Sequence, residues 1–297
     1  MARIPYVLVD VFAPAPGAGN RVAVVLDARG MSPEEMRAVA QSLGTAEAAF
    51  LLERTGLALS VRFFTPGGEV EFSGHAAVAV GLTAARTGLM PEGTTRLYLH
   101  TPTEVLPVEL VLEAGEPRKA WVRGPAPRFR DLPPYRALRE VLEALGSDER
   151  YLHRGLPYGV AFTGLWSLFV PLIAPGVVDA LEPEMERLKA LCFRLDVATI
   201  HAYAPMGPRS FYARDFAPLL GIPEDPVTGS ANAALGALLA RAGVVPRREG
   251  KVLLTVYQGH HLGNPGVVEV QVEYSPTGEP YSVQIGGEAV IVQTGEV

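Results

Sequence analysis

"GHAAVAVGLTAARTG" (residues 74–88) and "GSANAALGALLARAG" (residues 229–243) decide the fold, because one lies over the other without a gap. Gly74, Ala76, Ala79, Gly81, Ala85, Arg86 and Gly88 coincide with Gly229, Ala231, Ala234, Gly236, Ala240, Arg241 and Gly243. Alanine-rich helices match by chance, so the flanks carry the weight. Upstream, "RFFTP" (62–66) matches "RDFAP" (214–218) as Arg-x-Phe-x-Pro; downstream, "GLMP" (88–91) matches "GVVP" (243–246). Strand-like runs follow each proline and end in "PVELVLE" (107–113) and "VVEVQVE" (267–273). A repeat of this period predicts a duplicated chain in which each unit runs strand, acidic turn, helix, glycine stop, strands. Neither helix carries a charge before Arg86 or Arg241 in its last turn, so each must be buried on nearly all sides, and a sheet wrapped around it is the natural container.

Outward from the repeat, "YVLVDVF" (6–12) and "RVAVVLD" (21–27) read as strands around the "APAPGAGN" turn. Ser32, Pro33 and Glu35 supply an N-cap, an N1 proline and a capping-box glutamate for a helix that stops near Gly44. The stretch 113–134, rich in Pro, Gly and charge, reads as the connector between units.

Composition narrows the function. The 297 residues are 48% hydrophobic and 20% charged with a net charge of -6, which disfavours nucleic acid and anionic membrane as partners. Cys192 is the only cysteine, so disulfide frameworks, dithiol redox chemistry and thiolate zinc clusters are excluded by count. The N-terminal apolar run meets Pro14 and Gly17 too soon for an export signal, and no 18-residue apolar span occurs, so the expected setting is the cytoplasm. Lysine stands only at 119, 189 and 251, and Pro is abundant at 26 residues; this arginine-heavy balance fits a thermophile or a GC-rich coding bias.

The two buried helices begin at Gly74-His75 and Gly229-Ser230, preceded by Glu69 and Glu71 in one case and by Glu224 and Asp225 in the other. A helix N-terminus offers unpaired N–H groups and partial positive charge, and glycine admits a ligand close to the backbone. If the duplicated units pack about a pseudo-two-fold axis, their turns share one cleft and His75 and Asp225 face one ligand, an arrangement suited to acid-base chemistry on a substrate carbon. The alternative is that each turn only caps a core helix. Glu47, in "GTAEAAFLL", sits among small and apolar residues; buried there, it has the environment of a general acid-base, whereas strand alternation alone turns it to solvent.

"VDVFAPAPGAGNRVAVV", "AEAAF", "VRFFTPGGEVEFSGHAAVAVG", "ARDFAPLLGIPEDPVTGSANAALGALL" and "YQGHHLGNPG" together resemble the phenazine biosynthesis-like (PhzF-like) family, in the same order along almost the whole chain. The resemblance implies the diaminopimelate epimerase fold, an α+β architecture of two similar, pseudo-two-fold-related domains, each a curled, mostly antiparallel, barrel-like sheet around a central helix. The expected bounds are 1–115 with a C-terminal strand 285–297, and 116–284. It implies an active site between the domains, a homodimer, and a cofactor-free, metal-free proton shift on a small carboxylate-bearing molecule. By motif, Glu47 falls at the family's acid-base glutamate, His75 and Asp225 at its other polar catalytic positions, and Gly74, Gly229 and Ser230 at the substrate-holding helix starts. The diaminopimelate epimerases carry a cysteine at each helix start; this chain carries none there, so a two-thiol racemase is excluded. The family commonly writes Ser-Glu-Thr where this chain has Ala46-Glu47-Ala48, a proline at Ala76 and an arginine at Asn264, which leaves the substrate open.

Two other readings stand beside it. Asp225, His75 and Ser230 suit a serine hydrolase, although Ser230 lies in Thr-Gly-Ser-Ala-Asn and not in a nucleophile elbow. A catalytically silent carboxylate-binding protein is favoured by the altered residues around Glu47. "GAGN" (17–20) lacks the third glycine of a dinucleotide loop and leads into a strand, and the histidines show no metal spacing. Cys192 reads as a small core residue.

Overall fold

The computed structural model describes residues 3–297. In chain order the first part contains β1 (Pro5–Val11), β2 (Asn20–Val25), α1 (Pro33–Leu43), β3 (Glu47–Thr55), β4 (Ala58–Thr65), β5 (Gly68–Val70), α2 (Gly74–Arg86), β6 (Arg96–His100), β7 (Val105–Glu113) and β8 (Glu116–Arg123). There follow β9 (Arg128–Arg130), α3 (Tyr135–Ala144), β10 (Gly159–Phe162), β11 (Trp166–Pro171), α4 (Pro175–Asp179), α5 (Met185–Leu195), β12 (Thr199–Gly207), β13 (Ser210–Phe216), β14 (Glu224–Asp225), α6 (Gly229–Arg241), β15 (Lys251–Gln258), β16 (Gly266–Tyr274) and β17 (Pro280–Glu296). The chain forms two compact units, one of residues 1–123 and 286–297 and one of residues 124–285.

The first unit is a closed barrel. Strands β1–β2, β3–β4, β6–β7 and β7–β8 pair antiparallel, β2–β3 and β4–β6 pair parallel, and the end of β17 closes the ring by pairing with β8 and with β1. Inside lies α2, whose residues are buried from Ala76 to Ala84 and which packs against β1, β2, β3, β7 and β8. The absence of a polar face thus has the expected cause: strands cover the helix on most sides. Outside the ring, α1 opens with the capping box, Ser32 Oγ accepting from Glu35 N at 3.2 Å and Glu35 Oε2 accepting from Ser32 N at 2.8 Å, and stops at Gly44 with φ 65°. Its Met36 and Ala40 pack with Ala23, Ala48, Phe50 and Phe64 on the outer face of the strands.

The second unit repeats the plan. β12–β13 and β15–β16 pair antiparallel and β11–β12 and β13–β15 parallel, as β3–β4, β6–β7, β2–β3 and β4–β6 do in the first unit. Its helix α6 is buried at Gly229 and from Ala231 to Ala240. The duplication reaches single atoms. A Cβ added at Gly81 would lie 2.6 Å from Val108 Cγ1, and one added at Gly236 would lie 2.6 Å from Val270 Cγ1. Each glycine therefore lets its helix press against the same kind of strand valine, since real Cβ atoms do not approach so closely.

The two units divide within the stretch 113–134, between residues 123 and 124, but the stretch is more than a connector. Ala114 (φ 51°) and Gly115 (φ 86°) make the tight turn of the β7–β8 hairpin, and β8 and β9 both fall within the stretch. Among the described residues no helix is long and apolar enough to cross a membrane.

Candidate active site

In the first unit the site begins at the first residue of β3. Parallel pairing of Val22 with Glu47 fixes that end of the strand, and the Thr45 hydroxyl donates to the Glu47 carbonyl at 2.8 Å. Ala48 and Phe50 point into the apolar cluster under α1, so Glu47, one step out of phase, takes the opposite face. That face is not solvent: the Glu47 side chain is 19% exposed and its Oε2 is fully covered. The same alternation explains Ala48. A hydroxyl there would enter the apolar cluster and not stand beside the Glu47 carboxylate, so only Ala46, which is exposed, marks a lost neighbour.

The second component stands on the first turn of α2. Ser73 is the N-cap, its hydroxyl accepting from Ala76 N at 3.2 Å and lying 3.5 Å from His75 Nδ1. His75 thereby aims Nε2 at Glu47, with 3.6 Å between Nε2 and Oε2. Neither atom has a hydrogen-bond partner, and both are buried. A buried acceptor and a buried ring nitrogen left unsatisfied cost free energy, about 1–3 kcal/mol for each group. Structures tolerate that cost where the groups serve chemistry.

Glu69 stands apart from this pair. Arg62 holds it in a two-pronged contact, Nε to Oε1 at 2.6 Å and Nη2 to Oε2 at 2.5 Å, and the Glu69 carboxylate raises the Arg62 guanidinium above its ordinary range. Glu71 is exposed. Sequence proximity to the helix start therefore does not make either a site residue.

In the second unit Arg214 and Glu224 repeat the clamp, with Nε to Oε1 at 2.9 Å and Nη2 to Oε2 at 2.8 Å. Here the pair is nearly sealed, at 3% and 7% exposure against 22% and 32% for Arg62 and Glu69. Arg214 also donates to the carbonyls of Val178, Asp179 and Leu181. Asp225 is thus the carboxylate left for the turn. Its Oδ2 accepts from Thr228 Oγ1 at 2.7 Å, and its carbonyl accepts from Gln258 Nε2 at 2.9 Å. Gln258, in "YQGHHLGNPG", also receives Thr228 N at 3.1 Å and Asn232 Nδ2 at 2.7 Å through Oε1, pinning the acidic turn to the helix start.

Gly229 is buried at the first turn of α6, as Gly74 is at the first turn of α2. Ser230 follows at the position of His75; its carbonyl accepts from Thr163 Oγ1 at 2.7 Å. Within the first unit the structure brings Glu47 and His75 together; within the second it gathers Asp225, Thr228, Gln258 and Asn232 around the Gly229-Ser230 helix start. Cys192 lies in the core of the second unit, among Leu188, Leu191 and Ile200, where burial pushes its thiol up to about 12. Such a thiol is inert at neutral pH.

Comparison with known proteins gives the family of the chain. The family model described as "Phenazine biosynthesis-like protein" matches residues 9–295. A Deinococcus radiodurans protein named an uncharacterized isomerase is 45% identical, over 98% of this chain and 93% of its own. The trans-2,3-dihydro-3-hydroxyanthranilate isomerase of Pseudomonas fluorescens is 31% identical over 98% of each chain. The crystal structure of a Bacillus anthracis phenazine biosynthesis protein of the PhzF family superposes with a TM-score of 0.89 at 30% identity, covering 100% of this chain and 99% of that one. A hydroxyproline epimerase from Agrobacterium vitis shares the fold, with a TM-score of 0.68 at 14% identity over 100% of this chain and 91% of that one. The expected α+β architecture of two like units stands, and the chain belongs to the phenazine biosynthesis-like protein family.

Proposed function

We propose that this protein is a cofactor-independent isomerase that moves a proton on a small carboxylate-bearing molecule. The observation that carries the reading is the Glu47–His75 pair: two buried, unpartnered polar atoms 3.6 Å apart at the start of a buried helix. In this reading Glu47 takes a proton from a carbon next to an unsaturated system and returns it to another, and His75 relays or steadies the charge that develops. The N–H groups at Gly74 and at Gly229-Ser230 hold the substrate carboxylate, as helix N-termini hold anions. In this reading Asp225 acts on the same substrate from the second unit.

The relatives support the reaction class, since several are named isomerases. The Ala46-Glu47-Ala48 sequence, the feature that favours a silent binding protein, loses most of its force because position 48 faces the apolar cluster.

Incubation in deuterated water with trans-2,3-dihydro-3-hydroxyanthranilate, followed by a panel of unsaturated cyclic and linear carboxylates, tests the proposal. The expected outcome is deuterium at carbon in at least one compound, lost in Glu47→Gln. Exchange that survives unchanged in Glu47→Gln would remove the role given to Glu47. Binding without exchange across the panel would turn the reading to a carboxylate-binding protein, and labelling of Ser230 by a fluorophosphonate would revive a hydrolase. The same reading carries a cytoplasmic homodimer, which light scattering at micromolar concentration checks; a monomer there would contradict it.

A further inference from the structure

Behind Asp225 runs a buried polar chain that the proposed proton shift does not use. Thr228 is the N-cap of α6, yet its side chain makes no capping bond to the helix. Its hydroxyl lies 2.7 Å from Asp225 Oδ2 and 3.0 Å from Asp215 Oδ2, and it accepts from Gln258 Nε2 at 3.1 Å. Asp215 Oδ1 in turn meets His201 Nδ1 at 3.0 Å, with both side chains at 0% exposure. His201 Nε2 is buried without a partner. A hydrogen on Nδ1 donated to Asp215, with Nε2 as a bare acceptor, leaves the imidazole neutral; a second hydrogen would bury an unmatched charged donor.

The proton count along this line does not close with two ionised carboxylates. A hydroxyl has one hydrogen to give and two lone pairs to receive with. One lone pair of Thr228 takes the Gln258 N–H, and the single hydrogen can go to one carboxylate only. The other carboxyl must then donate to Oγ1, which requires that it carry a proton. Two carboxylates around one buried oxygen share a proton for the same reason that adjacent like charges do not both persist in a low-dielectric site. Arg214, the neighbour of Asp215 along β13, is committed to Glu224 and to main-chain carbonyls.

We propose that Asp215 and Asp225 hold one proton between them across the Thr228 hydroxyl, so that Asp225 alternates between proton donor and proton acceptor without exchange with solvent. The transfer balances. In one state the Asp215 carboxyl donates to Oγ1 while the Oγ1 hydrogen is donated to the Asp225 carboxylate. In the other, that hydrogen has passed to Asp225, the Asp215 hydrogen has become the hydroxyl hydrogen of Thr228, and the Asp215 carboxylate accepts from it. One O–H bond breaks and one forms on each side of Oγ1, and the hydroxyl ends as it began. His201 and Thr228 are positioning residues for this exchange. Its use in turnover rests on the isomerase reading; the shared proton does not.

Infrared difference spectroscopy on the full chain, with and without 13C-labelled aspartate at neutral pH, reads the proton directly and needs no substrate. The expected spectrum contains a protonated-carboxyl carbonyl band that moves on labelling. The band should vanish in Asp215→Asn and in Asp225→Asn, shift in Thr228→Val, return in Thr228→Ser, and persist in the exposed control Asp131→Asn. Absence of any such band from the wild-type protein overturns the proposal whether or not the variants fold, and so does a band that survives in both Asp215→Asn and Asp225→Asn. A band present in a protein that exchanges no carboxylate would overturn the isomerase reading and leave the shared proton standing.

Discussion

The two helix starts share a scaffold and differ in how they use it. At the first, the Ser73 hydroxyl accepts from Ala76 N, and Glu47 Oε2 and His75 Nε2 face each other beside the helix start with no hydrogen bond to either atom. At the second, Thr228 turns its hydroxyl away from the helix to two carboxylates, and a fully buried His201–Asp215 pair lies behind them. The register shows what changed. His201 faces Asp215 across β12–β13 where the first unit has Ala49 facing Phe63 across β3–β4. Duplication has kept the strand order, the arginine clamps and the glycine contacts, and has exchanged an apolar cross-strand pair for an ionisable one. A backbone copied twice can thus supply two chemically unlike halves, one with a carboxylate–imidazole pair that lacks hydrogen bonds at its facing atoms and one with a hydrogen-bonded polar chain.

The largest loss is expected at Glu47. Glu47→Gln keeps the shape and removes the proton acceptor, so exchange into a substrate should fall about 10²- to 10⁴-fold with unchanged thermal stability. A fall shared with an equal loss of melting temperature would mean a structural glutamate. The clamps come next. Arg214→Met strands a nearly sealed Glu224 and should cost about 3–5 kcal/mol in denaturant unfolding, whereas Arg62→Met releases a part-exposed Glu69 and should cost about 0–1 kcal/mol. Equal costs would show that the two clamps do not differ in burial as described. Gly81→Ala and Gly236→Ala should each destabilise by about 1–3 kcal/mol, because the new methyl meets a strand valine in both units. The smallest effect lies at the first cap: Ser73→Ala should cost about 1 kcal/mol of stability, because it removes the hydroxyl that accepts from Ala76 N.

What could be read before the structure follows from what is local. The repeat, the buried helices and the capping box at Ser32 are written in residues close together in sequence, and hydrophobic period and cap chemistry suffice for them. Glu47 was legible only as a carboxylate in apolar company. Alternation sends it away from the α1 cluster, and what covers that other face is His75, 28 positions on. Glu69 and Glu224 show the opposite limit: as acidic residues before a helix they resemble ligand groups, and only strand pairing brings Arg62 and Arg214 onto them. His201, Asp215 and Thr228 leave no local signal, because their meeting depends on the β12–β13 register and on the turn that follows it. Pro and Gly in 113–134 mark both the β7–β8 hairpin turn and, between residues 123 and 124, the passage from one unit to the other; the strands β8 and β9 within the stretch leave no comparably local mark.

The proposed function requires these two unequal helix starts to act on one substrate. A double-mutant cycle of Glu47→Gln and Asp225→Asn, read as the rate of deuterium exchange into a substrate carbon, tests it most directly. Groups that serve one reaction as a unit are strongly non-additive, so the double variant should be no slower than the slower single variant. Two losses that simply multiply, as they do for independent sites, would contradict the account.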